Sequence, residues 1–240
     1  MSNKKYKPAT LVVHQGKDRD PATGAATVPI YQASTYHHAG GTPGEYDYAR
    51  SGNPSREQVE DAVALLEGGS RGFAYASGMT AIGSALALLE SGDHLVASAD
   101  LYGGSWRFIT SVLPQKGVAF TLVDTTDTAA VEAAITPRTR ALFLETPSNP
   151  LTEIVDIAAL AQIARAHDCL LVVDNCFCTP ALQQPLKLGA DIVMHSATKY
   201  LGGHSDLLGG ALIVHDTELY ERLYFVQNAT GAVLSPFESF

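Results

Sequence analysis

The stretch HSATKYLGGHSD, residues 195 to 206, gives Lys199 a setting that a surface lysine does not need. Ser196 and Thr198 precede it and Gly202–Gly203 follow it. The two hydroxyls can donate to anionic oxygens. An amine set among apolar walls or other cations gives up its proton readily and becomes a nucleophile. The combination suits an amine that must meet an aldehyde beside a bound phosphate. The competing reading is a solvated loop lysine, the usual fate of this side chain.

Three further stretches place polar groups where a strand ends or a helix begins. In ASGMT, Ser77, Gly78 and Met79 mark a strand-to-helix turn. Its unpaired N–H groups suit a phosphate, although a plain helix start with a serine cap has the same sequence. In DLYGGSW, Tyr102 follows a strand and precedes Gly103–Gly104, so its ring could stack on a flat heterocycle or simply pack at the sheet edge. In LLVVDN, Asp174 closes the most apolar strand of the chain. A carboxylate there is costly without a partner. A protonated pyridine nitrogen would serve, each group keeping the other charged; the alternative is a strand-end aspartate that caps the next segment. Singly, none of these features is specific. Together, a strand-end acid, a stacking ring, a phosphate-ready helix start and a flanked lysine are the components of a pyridoxal 5'-phosphate (PLP) site.

The elements that must position these groups alternate along the chain. SREQVEDAVALLEGG has an apolar helical face, Ser55 and Gln58 at capping-box spacing, and Gly68–Gly69 at its end. Strands are expected at RGFAYAS, HLVAS, VAFTLVD, RALFLET, CLLVVDN, DIVMHS and GALIVHD. Helices are expected at GMTAIGSALALLESG, SWRFITSVLPQKG, TAAVEAAI, DIAALAQIARAHD and TELYERLYFVQNA. Alternation with nearly continuous apolar strands implies an α/β fold: a mostly parallel sheet covered by helices on both faces. Ligands in such folds bind beyond the carboxyl ends of the strands, where the four stretches fall. Residues 1–54 lack periodic pattern, and GGTPGEYDYARSGNPS within them reads as loop. They are expected to form an arm that packs on another subunit, ahead of an α/β domain at 55–240.

Composition removes several function classes. The chain has 240 residues, 46% of them hydrophobic, and a formal net charge of -9, which argues against nucleic acid or an anionic membrane as partner. It has no run of 18 apolar residues, and the charged N-terminus has too short an apolar stretch for a signal peptide; a cytoplasmic location is expected. Cys169, Cys176 and Cys178 form neither a disulfide framework nor a zinc-ligand pattern, so buried structural cysteines and no metal are expected. GGSRG, Gly68 to Gly72, fits the G-x-S-x-G of serine hydrolases, but there a strand must come before and a helix after, and here that order is reversed.

The sequence resembles the Cys/Met-metabolism family of PLP enzymes, which includes cystathionine γ-synthase, the cystathionine β- and γ-lyases, methionine γ-lyase and the homoserine sulfhydrylases. DIVMHSATKYLGGHSD is similar to the family signature, and YARSGNPS, YASGMTAI, ETPSNP and VDNCFCTPALQQPLKLGAD match other family blocks in order. The resemblance implies the large domain of a fold type I PLP enzyme, with a C-terminal domain missing, and a homotetramer built as a dimer of dimers. It implies that Lys199 holds the cofactor as an imine and later moves protons, that Asp174 partners the pyridine nitrogen, and that Tyr102 stacks on the ring and assists catalysis. Ser77, Gly78, Met79, Ser196 and Thr198 would hold the phosphate, Tyr48 and Arg50 would reach the phosphate of a neighbouring subunit, and Asn149 would lie near the cofactor hydroxyl and the substrate carboxylate. The implied reaction is β- or γ-elimination or γ-replacement on a small sulfur amino acid or activated homoserine. The alternatives are an O-acyl-homoserine sulfhydrylase, a methionine γ-lyase (against which stands Gly104, where those enzymes carry cysteine) and an inactive piece of such an enzyme.

Overall fold

A computed structural model describes residues 7–14, 20, 22–42 and 44–240. Parts of the N-terminal arm therefore lie outside the described residues. Along the chain run α1 (Pro8–His14), α2 (Pro54–Glu67), β1 (Arg71–Tyr75), α3 (Gly78–Leu86), β2 (His94–Ser98), α4 (Gly103–Arg107), β3 (Ala119–Val123) and α5 (Thr128–Ala134). They are followed by β4 (Thr139–Glu145), α6 (Ile157–Ala166), β5 (Leu170–Asp174), α7 (Thr179–Leu182), β6 (Ile192–His195), β7 (Gly210–Val214), α8 (Thr217–Thr230) and α9 (Pro236–Ser239).

The strands form one sheet in the order β1-β7-β6-β5-β4-β2-β3. Strands β2 to β6 pair in parallel, as the apolar runs imply. The exception is β7, which is antiparallel to both β1 and β6. Gly210, at its start, pairs with Tyr75 at the end of β1, and Ala211 with His195 at the end of β6. The carboxyl ends of β1, β4, β5 and β6 thus share one edge of the sheet with the amino end of β7.

The period-two geometry of strands sorts their side chains to two faces. Val172 joins Phe143, Met194, Ile82 and Leu223 beneath α3 and α8. Leu171 and Val173 join Leu142, Leu144 and Leu160 beneath α6. Leu171, Val172 and Val173 are at most 1% exposed, so β5 is apolar on both faces until it reaches Asp174.

Two local expectations need correction. The N-cap of α2 is Asn53, not Ser55. Asn53 Oδ1 accepts from the amides of Ser55 and Arg56, at 2.9 and 3.3 Å. The Ser55 hydroxyl instead accepts from Tyr31 N and donates to Pro29 O, tying the arm to the helix. Pro54, the first helical residue, needs no amide partner, and Gly68 at φ 76° closes the helix. The stretch SWRFITSVLPQKG is not one α-helix: α4 passes into a π-helical turn at Phe108–Val112, and Pro114 begins a 3-10 turn. Pro114 has no amide to continue an α-helical ladder.

Asn53 also donates to Tyr31 O and Tyr36 Oη, so one buried side chain joins the arm to α2. Asn53→Ala should lower stability by about 2 kcal/mol, measured as a shift of the urea midpoint at unchanged slope.

Candidate active site

At the shared edge of the sheet lies a cavity of about 140 Å³. Its wall is built from loops that leave five strands. Ser77, Gly78 and Met79 come from the β1–α3 turn and Tyr102 from the segment after β2. Glu145 and Asn149 come from the end of β4, and Asp174, Cys176 and Phe177 from the end of β5. Ser196, Thr198 and Lys199 follow β6. Nine of the eleven site residues named from the sequence therefore line one cavity; Tyr48 and Arg50 do not. Tyr48 is exposed, the Arg50 guanidinium lies 5.4 Å from its ring centroid, and Arg50 Nη1 donates to Asn228 O at 2.6 Å.

One end of the cavity suits an anion. Ser77 caps α3 through a reciprocal pair with Thr80: its hydroxyl accepts from Thr80 N, and its own amide donates to Thr80 Oγ1. The Gly78 and Met79 amides and the Ser196 hydroxyl have no hydrogen-bond partner among the described residues. The Thr198 hydroxyl is already engaged, donating to Gly209 O and accepting from Gly209 N; it braces the loop. Two glycines set the spacing. A Cβ on Gly78 would lie 2.8 Å from Ser196 Cβ, and one on Gly210 would lie 2.2 Å from Ser77 O. Residues 78 and 210 can carry no side chain if the helix start and the lysine loop are to meet.

The other end suits a cation. Asp174 is 5% exposed, and burial raises its pKa, opposed by the hydrogen bonds from Cys176 and by His195. In the parallel register Asp174 stands directly beside Glu145. Burial first, then the charge of Asp174, push Glu145 up to about 8, against the pull of the Tyr102 amide, which donates to Glu145 Oε2 at 2.6 Å. Neither carboxyl has a lysine or arginine in ion-pair contact among the described residues. Two adjoining buried carboxyls are a costly arrangement that a protonated heterocyclic nitrogen would relieve. Lys199 stands in the same cavity with no ion pair among the described residues. An aldehyde-bearing, phosphorylated pyridine fits this donor set.

The sequence reasoning missed Glu145 and Cys176. Glu145 had a readable signal: RALFLE is an apolar strand ending in an acid, like LLVVD beside it. Cys176 was expected to be an inert core residue, as Cys169 is. Instead its Sγ accepts from the Ser196 amide at 2.8 Å, and burial, then Asp174, push its thiol well up. Cys176 and Cys178 are only partly buried. No metal-ligand cluster occurs among the described residues, nor is any helix there long and apolar enough to cross a membrane.

The fold and the cavity together define a PLP-binding α/β protein. The sequence profile of Cys/Met metabolism PLP-dependent enzymes matches residues 9–240. A cystathionine beta-lyase of Lactococcus lactis subsp. cremoris is 50% identical over 96% of this chain and 61% of its own length. A cystathionine gamma-synthase of Mycobacterium tuberculosis is 50% identical over 97% of this chain and 61% of its own. The crystal structure of cystathionine gamma-lyase from Lactobacillus plantarum complexed with L-serine superposes with a TM-score of 0.95 at 51% identity, over 98% of this chain and 61% of that one. The chain belongs to the Cys/Met metabolism family of PLP-dependent enzymes. It spans about 61% of the length of these relatives.

The site geometry yields two expectations. Gly78→Ala must displace Ser196 from the helix start, and should weaken PLP binding by about tenfold or more, measured by absorbance titration. Glu145 titrates higher in the folded chain than its usual 4.5. The unfolded chain therefore loses this proton first as pH rises, and stability falls between about pH 4.5 and about pH 8. In the cofactor-free protein, Glu145→Gln should gain in melting temperature over wild type as pH is raised through that window. A constant difference would place the pair's titration elsewhere.

Proposed function

We propose that this protein acts in trans-sulfuration chemistry as a cytoplasmic PLP enzyme, carrying out β- or γ-elimination or γ-replacement on cystathionine or a related amino acid. The observation that supports this most is the cavity itself. It joins Lys199, the paired buried acids Asp174 and Glu145, and the open amides of Gly78 and Met79. Lyases and a synthase stand at nearly equal identity, so the reading is drawn at the level of the cystathionine chemistry they share. Gly104 supports leaving methionine γ-lyase aside: a Cβ there would lie 2.5 Å from the Tyr102 ring.

Bound PLP supplies an electron sink that makes the proton on the substrate's α-carbon removable. The chain's residues do the rest. Lys199 would hold the cofactor's aldehyde carbon and would move the proton at the substrate's α-carbon. Asp174, kept charged by the ring nitrogen's proton, holds that proton in place. The Gly78 and Met79 amides and the Ser196 hydroxyl bind the phosphate, with Ser77 and Thr198 bracing the two segments that carry them. Tyr102, its backbone fixed on Glu145, would cover the ring. Asn149 orients the substrate carboxylate. Residues 1–54 act as an arm that carries Tyr48 and Arg50 to the phosphate of a second subunit, and residues 55–240 form the cofactor domain, in a homo-oligomer built as a dimer of dimers.

The test is covalent trapping. With PLP and borohydride, the wild-type protein should carry a reduced pyridoxyl group on Lys199, found by peptide mass mapping. Lys199→Ala should carry none; an equal yield of adduct in that variant would refute the assignment of Lys199.

A further inference from the structure

Behind the site, and outside its lining, lies a group of polar side chains with almost no contact with water. Glu67, Asn175 and His195 are 0%, 0% and 1% exposed. Glu67 is the last residue of α2 and arrives from far away in sequence. Its Oε1 accepts from Asn175 Nδ2 at 2.8 Å and lies 2.5 Å from His195 Nε2. Both side-chain donors of Asn175 are in use. Its Nδ2 also donates to Gln183 O at 2.9 Å, its Oδ1 accepts from Gln183 Nε2 at 2.9 Å, and its amide donates to Met194 O at 3.0 Å. Gln183 Nε2 reaches on to Thr146 O at 3.1 Å.

Position gives this network its meaning. Thr146 follows Glu145, Asn175 follows Asp174, and His195 precedes Ser196. The network therefore holds the exits of β4, β5 and β6 one residue away from three groups of the site. As a device for stability alone it is a poor choice. A carboxyl at a helix C-terminus opposes the helix dipole, burial of such groups is costly, and Glu67 Oε2 and His195 Nδ1 lack partners among the described residues. Apolar side chains would fill the space at lower cost. What the network supplies is fixed direction at three strand exits.

We propose that Glu67 is a positioning residue for the cofactor site. Through Asn175, which follows Asp174, and His195, its carboxyl sets the direction in which the Asp174 carboxylate would meet the ring nitrogen of PLP. This rests on the reading of Asp174 given above, and the test separates the two. PLP dissociation constants, and the absorbance maximum of the bound cofactor, are measured for wild type, Glu67→Gln, Asp174→Asn and the double variant. Asp174→Asn that binds as wild type would sink the Asp174 reading itself. With that reading intact, Glu67→Gln should weaken binding by about tenfold and shift the maximum in the wild-type background. In the Asp174→Asn background it should add less than about twofold, because a residue acting through another loses its effect when that other is gone. Wild-type binding by Glu67→Gln, or equal losses in both backgrounds, would overturn the proposal. If circular dichroism shows Glu67→Gln unfolded, Asn175→Ser takes its place in the same cycle, and equal losses there overturn the proposal in the same way.

Discussion

The structure turns on the burial of one carboxylate, Asp174, at the end of a strand that is otherwise apolar on both faces. The parallel register sets Glu145 beside it, so the floor of the cavity concentrates acid where little water reaches. The protein meets this with hydrogen-bond donors rather than cations. The Cys176 amide reaches Asp174 at 3.0 Å, and the Tyr102 amide reaches Glu145. Such donors lower the cost of the acids without neutralising them, and the remaining electrostatic demand is for a positive group in the cavity. A pyridine nitrogen that takes up a proton would answer it, and the role proposed for Asp174 rests on that match.

The opposite end of the cavity depends on contact distance. The start of α3, the lysine loop and the start of β7 meet at Gly78 and Gly210, where even a methyl group would overlap backbone or Ser196. Phosphate recognition of this kind uses backbone amides, whose direction is fixed by the helix and whose positions cannot adjust as a long side chain can. Gly210 is thus needed only for the close approach, whereas Gly78 both permits the approach and leaves its amide open to the anion proposed there.

Much of this was legible in the sequence. The alternation of strands and helices, the parallel sheet and the gathering of Lys199, Asp174, Tyr102 and the Ser77–Met79 turn follow from apolar runs that end in polar residues, while Asn149 was named from the family resemblance alone. Other features were not legible, because they depend on what lies beside a residue in space. The reversal of β7 has no mark in GALIVHD, which is as apolar as a parallel strand. Ser55 fits a capping box by spacing, but Asn53 holds the cap because Pro54 starts the helix and Ser55 turns toward the arm. Glu67 reads as an ordinary acid at the end of an amphipathic helix. Only the fold brings it against Asn175 and His195, 108 and 128 residues further on.

The reversal of β7 has a consequence for the entropy of the lysine loop. Because β6 ends and β7 begins on the same edge, residues 196 to 209 need not cross the sheet, and both ends of the loop are fixed by the ladder itself. Thr198 joins Gly209 inside it, which closes a small ring of chain around Lys199. A parallel β7 would require a long crossover, and the lysine would then sit on a tether with many conformations to lose when it bound its cofactor. Here that ordering is completed during folding, so Lys199 would stand close to the position proposed for it before any cofactor arrives.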